Sequence, residues 1–154
     1  MVALTPDGKV FTAGSGNFGQ LGHGNKNRIE ILTEVKNLPK IKCISAGYAY
    51  TCVVTNKGAI YSWGAGQDGR LGNNTEIDSC IPVKLYTDWV ADSIETGSTH
   101  TVAISRNKKL YSWGSAHYNG HNIKQPTLVP KKIESIKNIM FYKVSIGYGG
   151  YHTL

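Results

Sequence analysis

The chain has 154 residues, 40% hydrophobic and 18% charged, with a formal net charge of +7, which suits one folded domain and excludes a disordered or supercharged chain. No apolar run approaches the roughly 18 residues that cross a bilayer, and the N-terminus carries neither the basic nor the long apolar stretch of a signal peptide. Three cysteines, Cys43, Cys52 and Cys80, lack any CxxC spacing, which argues against a disulfide framework or a zinc site and for a reducing compartment, cytoplasm or nucleus.

Glycine accounts for 18 residues and proline for only 5, a glycine share well above the typical ~7%. Read from the N-terminus, Val2-Ala3-Leu4-Thr5 is a short apolar run. Asp7-Gly8 follows as a hairpin signal, because glycine tolerates the positive φ of a tight turn. Lys9-Val10-Phe11-Thr12-Ala13-Gly14 reads as the partner strand, with β-branched and aromatic residues in alternation. A glycine-rich loop runs from Gly14 through Gly19 and Gly22 to Gly24, and Ile44-Ser45-Ala46-Gly47 ends in another strand signal.

The whole pattern then recurs. Cys52–Thr55 and Val102–Ser105 repeat the first run. Ala59–Gly64 and Lys109–Gly114 repeat the second, and Ile94–Gly97 and Val144–Gly147 repeat the fourth. Every block steps by 50 residues. Lys57-Gly58 and Asn107-Lys108 occupy the hairpin position, with Asn107 the expected left-handed residue in the third copy. The repeats run approximately over 2–51, 52–101 and 102–154. No segment sustains a helical apolar period, so the fold class is all-β. Short strands at even spacing, with aromatics and glycines in each copy, predict β-propeller blades. Tyr61, Trp63, Tyr111 and Trp113 are the expected core between blades.

The loop Gly14-Ser15-Gly16-Asn17-Phe18-Gly19-Gln20-Leu21-Gly22-His23-Gly24 and its second copy, Trp63-Gly64-Ala65-Gly66-Gln67-Asp68-Gly69-Arg70-Leu71-Gly72, resemble the signature of the regulator-of-chromosome-condensation (RCC) repeat. Gly97-Ser98-Thr99-His100-Thr101 resembles the other hallmark of that family. Trp-Gly rather than Trp-Asp at the strand end separates the chain from WD-repeat propellers. The resemblance implies seven-bladed rings, so three repeats make a partial ring or half of an oligomeric one. Structural roles fall to Gly14, Gly19, Gly22, Gly47, Trp63, Gly64, Gly69, Gly72, Gly97, His100, Trp113 and Gly114. The glycines are read as crossings between blades rather than a phosphate cradle, since no helix follows the loop and no Lys-Ser/Thr pair closes it. His100 is read as a core histidine. No nucleophile–base–carboxylate set can be assembled, so no enzyme and no cofactor or metal is expected.

The third repeat departs from the others. Its glycine loop, 115–121, is degenerate. Taking Leu32, Pro82 and Pro126 as equivalent predicts six missing residues there. Comparing Val129 with Val35 and Leu85 then predicts six returned within 130–140, as an exposed loop carrying Lys131, Lys132 and Lys137. Net charge is +3, −3 and +7 along the three repeats, so these lysines are the candidate partner site. The acidic second repeat offers Asp68, Glu76, Asp78, Asp88, Asp92 and Glu95 to a basic partner. Trp89 reads as a lone loop residue, which leaves no tryptophan cluster for light sensing. The expected function is a non-enzymatic protein-interaction scaffold. The alternatives are guanine-nucleotide exchange on a small Ras-like GTPase, which the resemblance implies, or chromatin or nucleic-acid contact through the basic repeat. The strand near Val144–Gly147 is expected to complete a neighbouring chain's first blade, giving self-association; no membrane partner is expected.

Overall fold

The computed structural model describes residues 1–136 and 139–146. Strands β1 (Val2–Leu4), β2 (Val10–Gly14) and β3 (Ile29–Glu34) form one antiparallel sheet. Strands β4 (Ile41–Ala46), β5 (Tyr50–Thr55), β6 (Ile60–Gly64) and β7 (Ser79–Lys84) form the second. Strands β8 (Ala91–Thr96), β9 (His100–Ser105), β10 (Leu110–Gly114) and β11 (Thr127–Lys132) form the third. Each sheet is a simple meander. The one helical element among the described residues is a single 3₁₀ turn at Gln67–Gly69.

The sheets stack face to face as blades. Strand β5 is buried along its whole length, and its alternation explains why. Val53 points into a core with Val10, Val35, Ile41 and Trp63. Cys52 and Val54 point the other way, into a core with Ile60, Leu71, Leu85, Ala103 and Trp113. A strand covered on both faces reads as a continuous apolar run, Cys52-Val53-Val54, rather than an alternating one. Beyond the third blade, Val102, Ile104 and Val144 gather with Phe141 and Ile146.

Two ends of the blades can be told apart. At one end lie the hairpins that join β1 to β2, β5 to β6 and β9 to β10. At the other lie the glycine loops and the turns after β4 and β8. The first strands of successive blades, β4 and β8, are stitched together: the Ser45 hydroxyl lies 2.8 Å from that of Thr96 and accepts from the Thr96 N–H at 3.0 Å. That edge is the inner one, and β3, β7 and β11 are the outer strands.

The hairpins depend on left-handed backbone. Gly8 (φ +87°), Gly58 (φ +84°) and Lys108 (φ +61°) hold the same position, so the third copy uses Lys108 and not Asn107. Register also revises the alignment of the third repeat. Thr12 pairs with Thr33, Ser62 with Val83 and Ser112 with Lys131. The equivalents of Leu32 and Pro82 are therefore Pro130 rather than Pro126, and the glycine loop is shorter by two residues, not six. Val35, Leu85 and Ile133 donate to Val10, Ile60 and Leu110 at 2.8, 2.9 and 3.0 Å, which makes Ile133, not Val129, the equivalent residue. The two residues return between Ile133 and Phe141, because Phe141 donates to the Lys108 carbonyl just as Ile41 donates to Gly8 and Ala91 to Gly58. Lys131 and Lys132 accordingly belong to β11, at the rim, and not to a loop. Pro126 lies just ahead of β11 and Pro130 within it; proline as a residue type carries no register, so only the pairing tells the two apart.

A Cβ at Gly58 would sit 2.8 Å from the Ala91 carbonyl oxygen in addition to its left-handed strain. Gly58→Ala is expected to lower unfolding stability by about 2 kcal/mol. Lys108→Gly, which relieves left-handed strain at the same turn, is expected to be near neutral; urea denaturation of the two variants checks both.

Candidate functional site: the blade junctions and the two faces

The residues singled out by the glycine and tryptophan pattern meet where blades join. Trp63 and Trp113 close β6 and β10 and are completely buried. Each reaches back to the preceding blade. The Trp63 indole N–H donates to the Gln20 carbonyl at 2.9 Å, and the Trp113 indole N–H to the Arg70 carbonyl at 3.0 Å. The same carbonyls accept from Thr51 at 3.1 Å and Thr101 at 3.0 Å. Gly22 (φ +80°) and Gly72 (φ +71°) lie flat against these indoles; a Cβ would stand 2.8 Å from the Trp63 Nε1 and 2.6 Å from the Trp113 Nε1.

Gly19 and Gly69 make the complementary contact with the next blade's outer strand, against Cys80 of β7 and Leu128 of β11. Gly64 and Gly114 turn over the backbone of Ala49-Tyr50 and Thr99-His100, and Gly14 takes the same left-handed conformation in the first blade. Gly47 and Gly97 donate to the Tyr50 and His100 carbonyls, each at 2.9 Å. Sequence reasoning singled out these residues but not the carbonyls at Gln20 and Arg70, because a backbone acceptor carries no residue-type signal.

One buried cation escaped the sequence reading altogether. Arg70 is buried at the junction of the second and third blades. Its Nε donates to the Gln67 carbonyl at 2.8 Å and its Nη1 to the Ser98 carbonyl at 3.1 Å. Asp68 pairs with its Nη2 at 3.2 Å, and the guanidinium lies 6.0 Å from the Tyr50 ring centroid. The Tyr50 hydroxyl donates to the His100 carbonyl at 2.6 Å. His100 is fully buried beside Tyr118, and burial pushes its pKa down to about 4. Burial also pushes the Cys52 thiol up to about 12; Cys43 and Cys80 are free as well.

The acidic residues of the second repeat do not form one surface. Asp68 is held by Arg70, and Asp78 by Lys26 at 2.9 Å. Asp92 sits between Lys108, at 2.8 Å, and Lys42; those two ammonium donors pull its carboxyl down to about 2. Trp89 is not alone: its indole stacks on Tyr111 of β10 at 3.9 Å between centroids. Lys131 is exposed on β11, and Lys132 pairs with Glu134 at 3.1 Å. Lys137, and of the expected blade-completing segment Gly147 and all that follows it, lie outside the described residues.

The hairpin end carries a cationic arc. Lys40, Lys57 and Arg106 are exposed there. The Lys40 carbonyl accepts from the Asn56 N–H at 3.0 Å, and the Asn56 carbonyl accepts from Arg106 Nη2 at 3.0 Å, so the three cations are contiguous. The carboxylates at this end are already engaged: Asp7 by Lys9, Glu34 by Lys36, Asp92 by two lysines and Glu134 by Lys132. Asp88 is the carboxylate at this end that has no ion pair among the described residues.

These antiparallel blades, each locked to the one before through a tryptophan and a glycine loop, define a β-propeller repeat protein. The Regulator of chromosome condensation (RCC1) repeat matches residues 7–54 and 57–104, and a second description of that repeat matches 41–70 and 91–120; the chain belongs to the RCC1 repeat family. Human WBSCR16 superposes with a TM-score of 0.84 at 21% identity, over 95% of this chain and 40% of its own. Prp20p from Saccharomyces cerevisiae, in a structure described with its binding properties to Gsp1p and histones, superposes at 0.77 and 25% identity, over 86% of this chain and 36% of its own. Yeast RCC1 (Prp20) bound to Kap60 gives 0.75 at 22% identity, over 96% of this chain and 37% of its own. The chain thus spans well under half the length of these proteins. No helix among the described residues is long and apolar enough to cross a membrane.

Trp63→Ala or Trp113→Ala is expected to cost about 3–5 kcal/mol. Trp113→Phe, which keeps much of the apolar volume and removes one of the two donors on the Arg70 carbonyl while the Thr101 hydroxyl remains, should cost about 1–2 kcal/mol; chemical denaturation separates the two. Titration gives a second test. His100 is neutral when folded and takes up a proton more readily when unfolded, where its pKa is about 6.5. Its contribution is present above that value and lost as pH falls through 6.5 towards 4. The melting temperature of His100→Gln should therefore fall less steeply than that of the parent between neutral pH and the region of pH 4.

Proposed function

We propose that the chain is part of a non-enzymatic protein-interaction scaffold in the cytoplasm or nucleus, and that its hairpin end binds an acidic segment of a protein partner. One observation carries this reading. The blade junctions consume the buried polar groups in structural bonds, whereas the hairpin end leaves Lys40, Lys57 and Arg106 exposed beside carboxylates that are mostly neutralised already. Unpaired cations on short, well-anchored turns attract an acidic partner with little ordering cost. Lys131 and Lys132 extend the basic character to the rim, with Lys137 a candidate member of that patch.

A second reading, guanine-nucleotide exchange on a small Ras-like GTPase, is favoured by the likeness to Prp20p, which was studied for its binding to Gsp1p. Contact with chromatin or nucleic acid is favoured by the same comparison's mention of histones and by the basic third repeat.

Combined Lys40→Glu, Lys57→Glu and Arg106→Glu reversal should abolish capture of a glutamate-rich fluorescent peptide, and capture by the parent should weaken as salt rises. Thermal melts should change little, since these side chains lie at the surface. Equal peptide affinity in parent and variant would dismiss the arc as solvation. Accelerated release of labelled GDP from a Ras-like GTPase would favour the exchange reading, and preferential binding of an oligonucleotide over the peptide would favour the nucleic-acid one.

A further inference from the structure

The two filled blade junctions share a set of residues whose third copy lines an open cavity. In the first junction Trp63 gathers with Val10, Val35 and Ile41; in the second, Trp113 gathers with Ile60, Leu85 and Ala91. Val35 donates to Val10, Leu85 to Ile60 and Ile133 to Leu110, and Phe141 holds the place of Ile41 and Ala91. The third set is therefore Leu110, Ile133 and Phe141. On the face of the third blade turned away from the second, these residues line a cavity of about 330 Å³ together with Val102, Val144 and Gly120, a size that suits a small ligand or a large side chain.

Side-chain bonds align the loop beside it. The hydroxyls of Thr12 and Ser62 donate to the Leu21 and Leu71 carbonyls, each at 2.7 Å, and that of Ser112 donates to the Asn119 carbonyl. Gly120 is thus the counterpart of Gly22 and Gly72, and its φ of +74° repeats their left-handed backbone. A Cβ at Gly22 or Gly72 would meet an indole nitrogen at 2.8 or 2.6 Å; at Gly120 the nearest atom among the described residues is the Ile133 Cδ1 at 3.4 Å. Tyr118 holds the chain position of Gln20 and Arg70, whose carbonyls each take an indole N–H beside a threonine hydroxyl. The chain's three tryptophans are engaged elsewhere: Trp63 and Trp113 in the filled junctions, Trp89 on Tyr111.

We propose that this cavity is a receptor for the tryptophan side chain of a partner protein, presented at the Trp-Gly end of a strand. Two filled copies of the same socket within the chain identify the occupant: a flat apolar ring with one N–H, which needs apolar walls, a bare glycine and a carbonyl. A second copy of this chain does not supply it. Gly14 and Gly64 pair with Ile29 and Ser79, so the first blade of a second copy would bring Ala13 in place of the indole and Arg28 in place of Asp78. Asp78 holds Lys26 of the first glycine loop at 2.9 Å. Lys124 is exposed and stands five residues beyond Asn119, as Lys26 stands five beyond Leu21. Arg28 would repel it, whereas a partner with an acidic residue ahead of its outer strand would pair with it. The site lies on a stacking face, and it does not depend on the cationic arc at the hairpin end.

Fluorine NMR of N-acetyl-tryptophanyl-glycinamide, labelled with fluorine on the indole ring and titrated with the full chain, tests this. The parent should show weak but saturable binding. Ile133→Trp, which fills the cavity from within, and Gly120→Val, which puts a side chain over the loop, should each weaken binding at least severalfold. Circular dichroism shows which variants fold, and either one alone decides the matter. The probe methylated on the indole nitrogen, which has no N–H to donate, should also bind severalfold more weakly. A parent without saturable binding overturns the proposal, and so does equal binding by a folded variant or by the methylated probe. Sedimentation velocity supplies the last check: a parent that self-associates while folded Ile133→Trp stays monomeric would make a second copy the occupant and overturn the assignment to a partner.

Discussion

The structure turns on one hydrogen bond made twice: a tryptophan indole N–H donated to a backbone carbonyl in the glycine loop of the preceding blade. A blade has two apolar faces and cannot cover either alone. The indole supplies large apolar area, and its polar edge needs an acceptor once buried. The loop carbonyl, which also takes a threonine hydroxyl, satisfies that need. The approach is close enough that only glycine fits at Gly22 and Gly72, so the donor, acceptor and glycine form one unit. Blade spacing, the double-sided burial of β5 and the stitching of β4 to β8 follow from it.

Variation within this frame changes the chemistry without changing the lock. Gln20 and Arg70 present equivalent carbonyls, but the Arg70 side chain folds inward and ties the carbonyls of Gln67 and Ser98 together over Tyr50. A guanidinium suits this place because its fixed fork of donors meets several acceptors at once and its face tolerates an aromatic ring. The second and third blades are thus joined by a polar clasp as well as by the indole. The cations of the arc at the hairpin end are exposed and make no ion pair among the described residues, Arg106 bonding only to the Asn56 carbonyl, and there the protein is free to meet other molecules.

The third repeat shows how tolerant the frame is. It is two residues short in the glycine loop and two residues long between Ile133 and Phe141, yet Phe141 returns to the position that Ile41 and Ala91 hold against the preceding hairpin. Loops over the surface absorb length at little cost, whereas strand registers, fixed by side chains buried on both faces, do not shift. The strain is visible at Lys108, which accepts a left-handed backbone that glycine takes elsewhere. Its ammonium joins Lys42 in neutralising Asp92 across the gap between blades.

The sequence by itself determined the repeat, the all-β class, the hairpins and the identity of the residues at the blade junctions, because these rest on side-chain type at a constant interval. Trp63 and Gly22 stand 41 positions apart, yet both belong to blocks that recur every 50 residues, and recurrence is legible without coordinates. Tertiary structure alone decided which strands pair in which register, where the two shifted residues went, that Lys131 and Lys132 lie on a strand, and that Trp89 has Tyr111 for a neighbour. It also decided that Arg70 is buried while Arg106 is exposed. Backbone acceptors, proline registers and the direction of a long charged side chain have no periodic signature; they are settled only when a neighbouring blade supplies or withholds the partner.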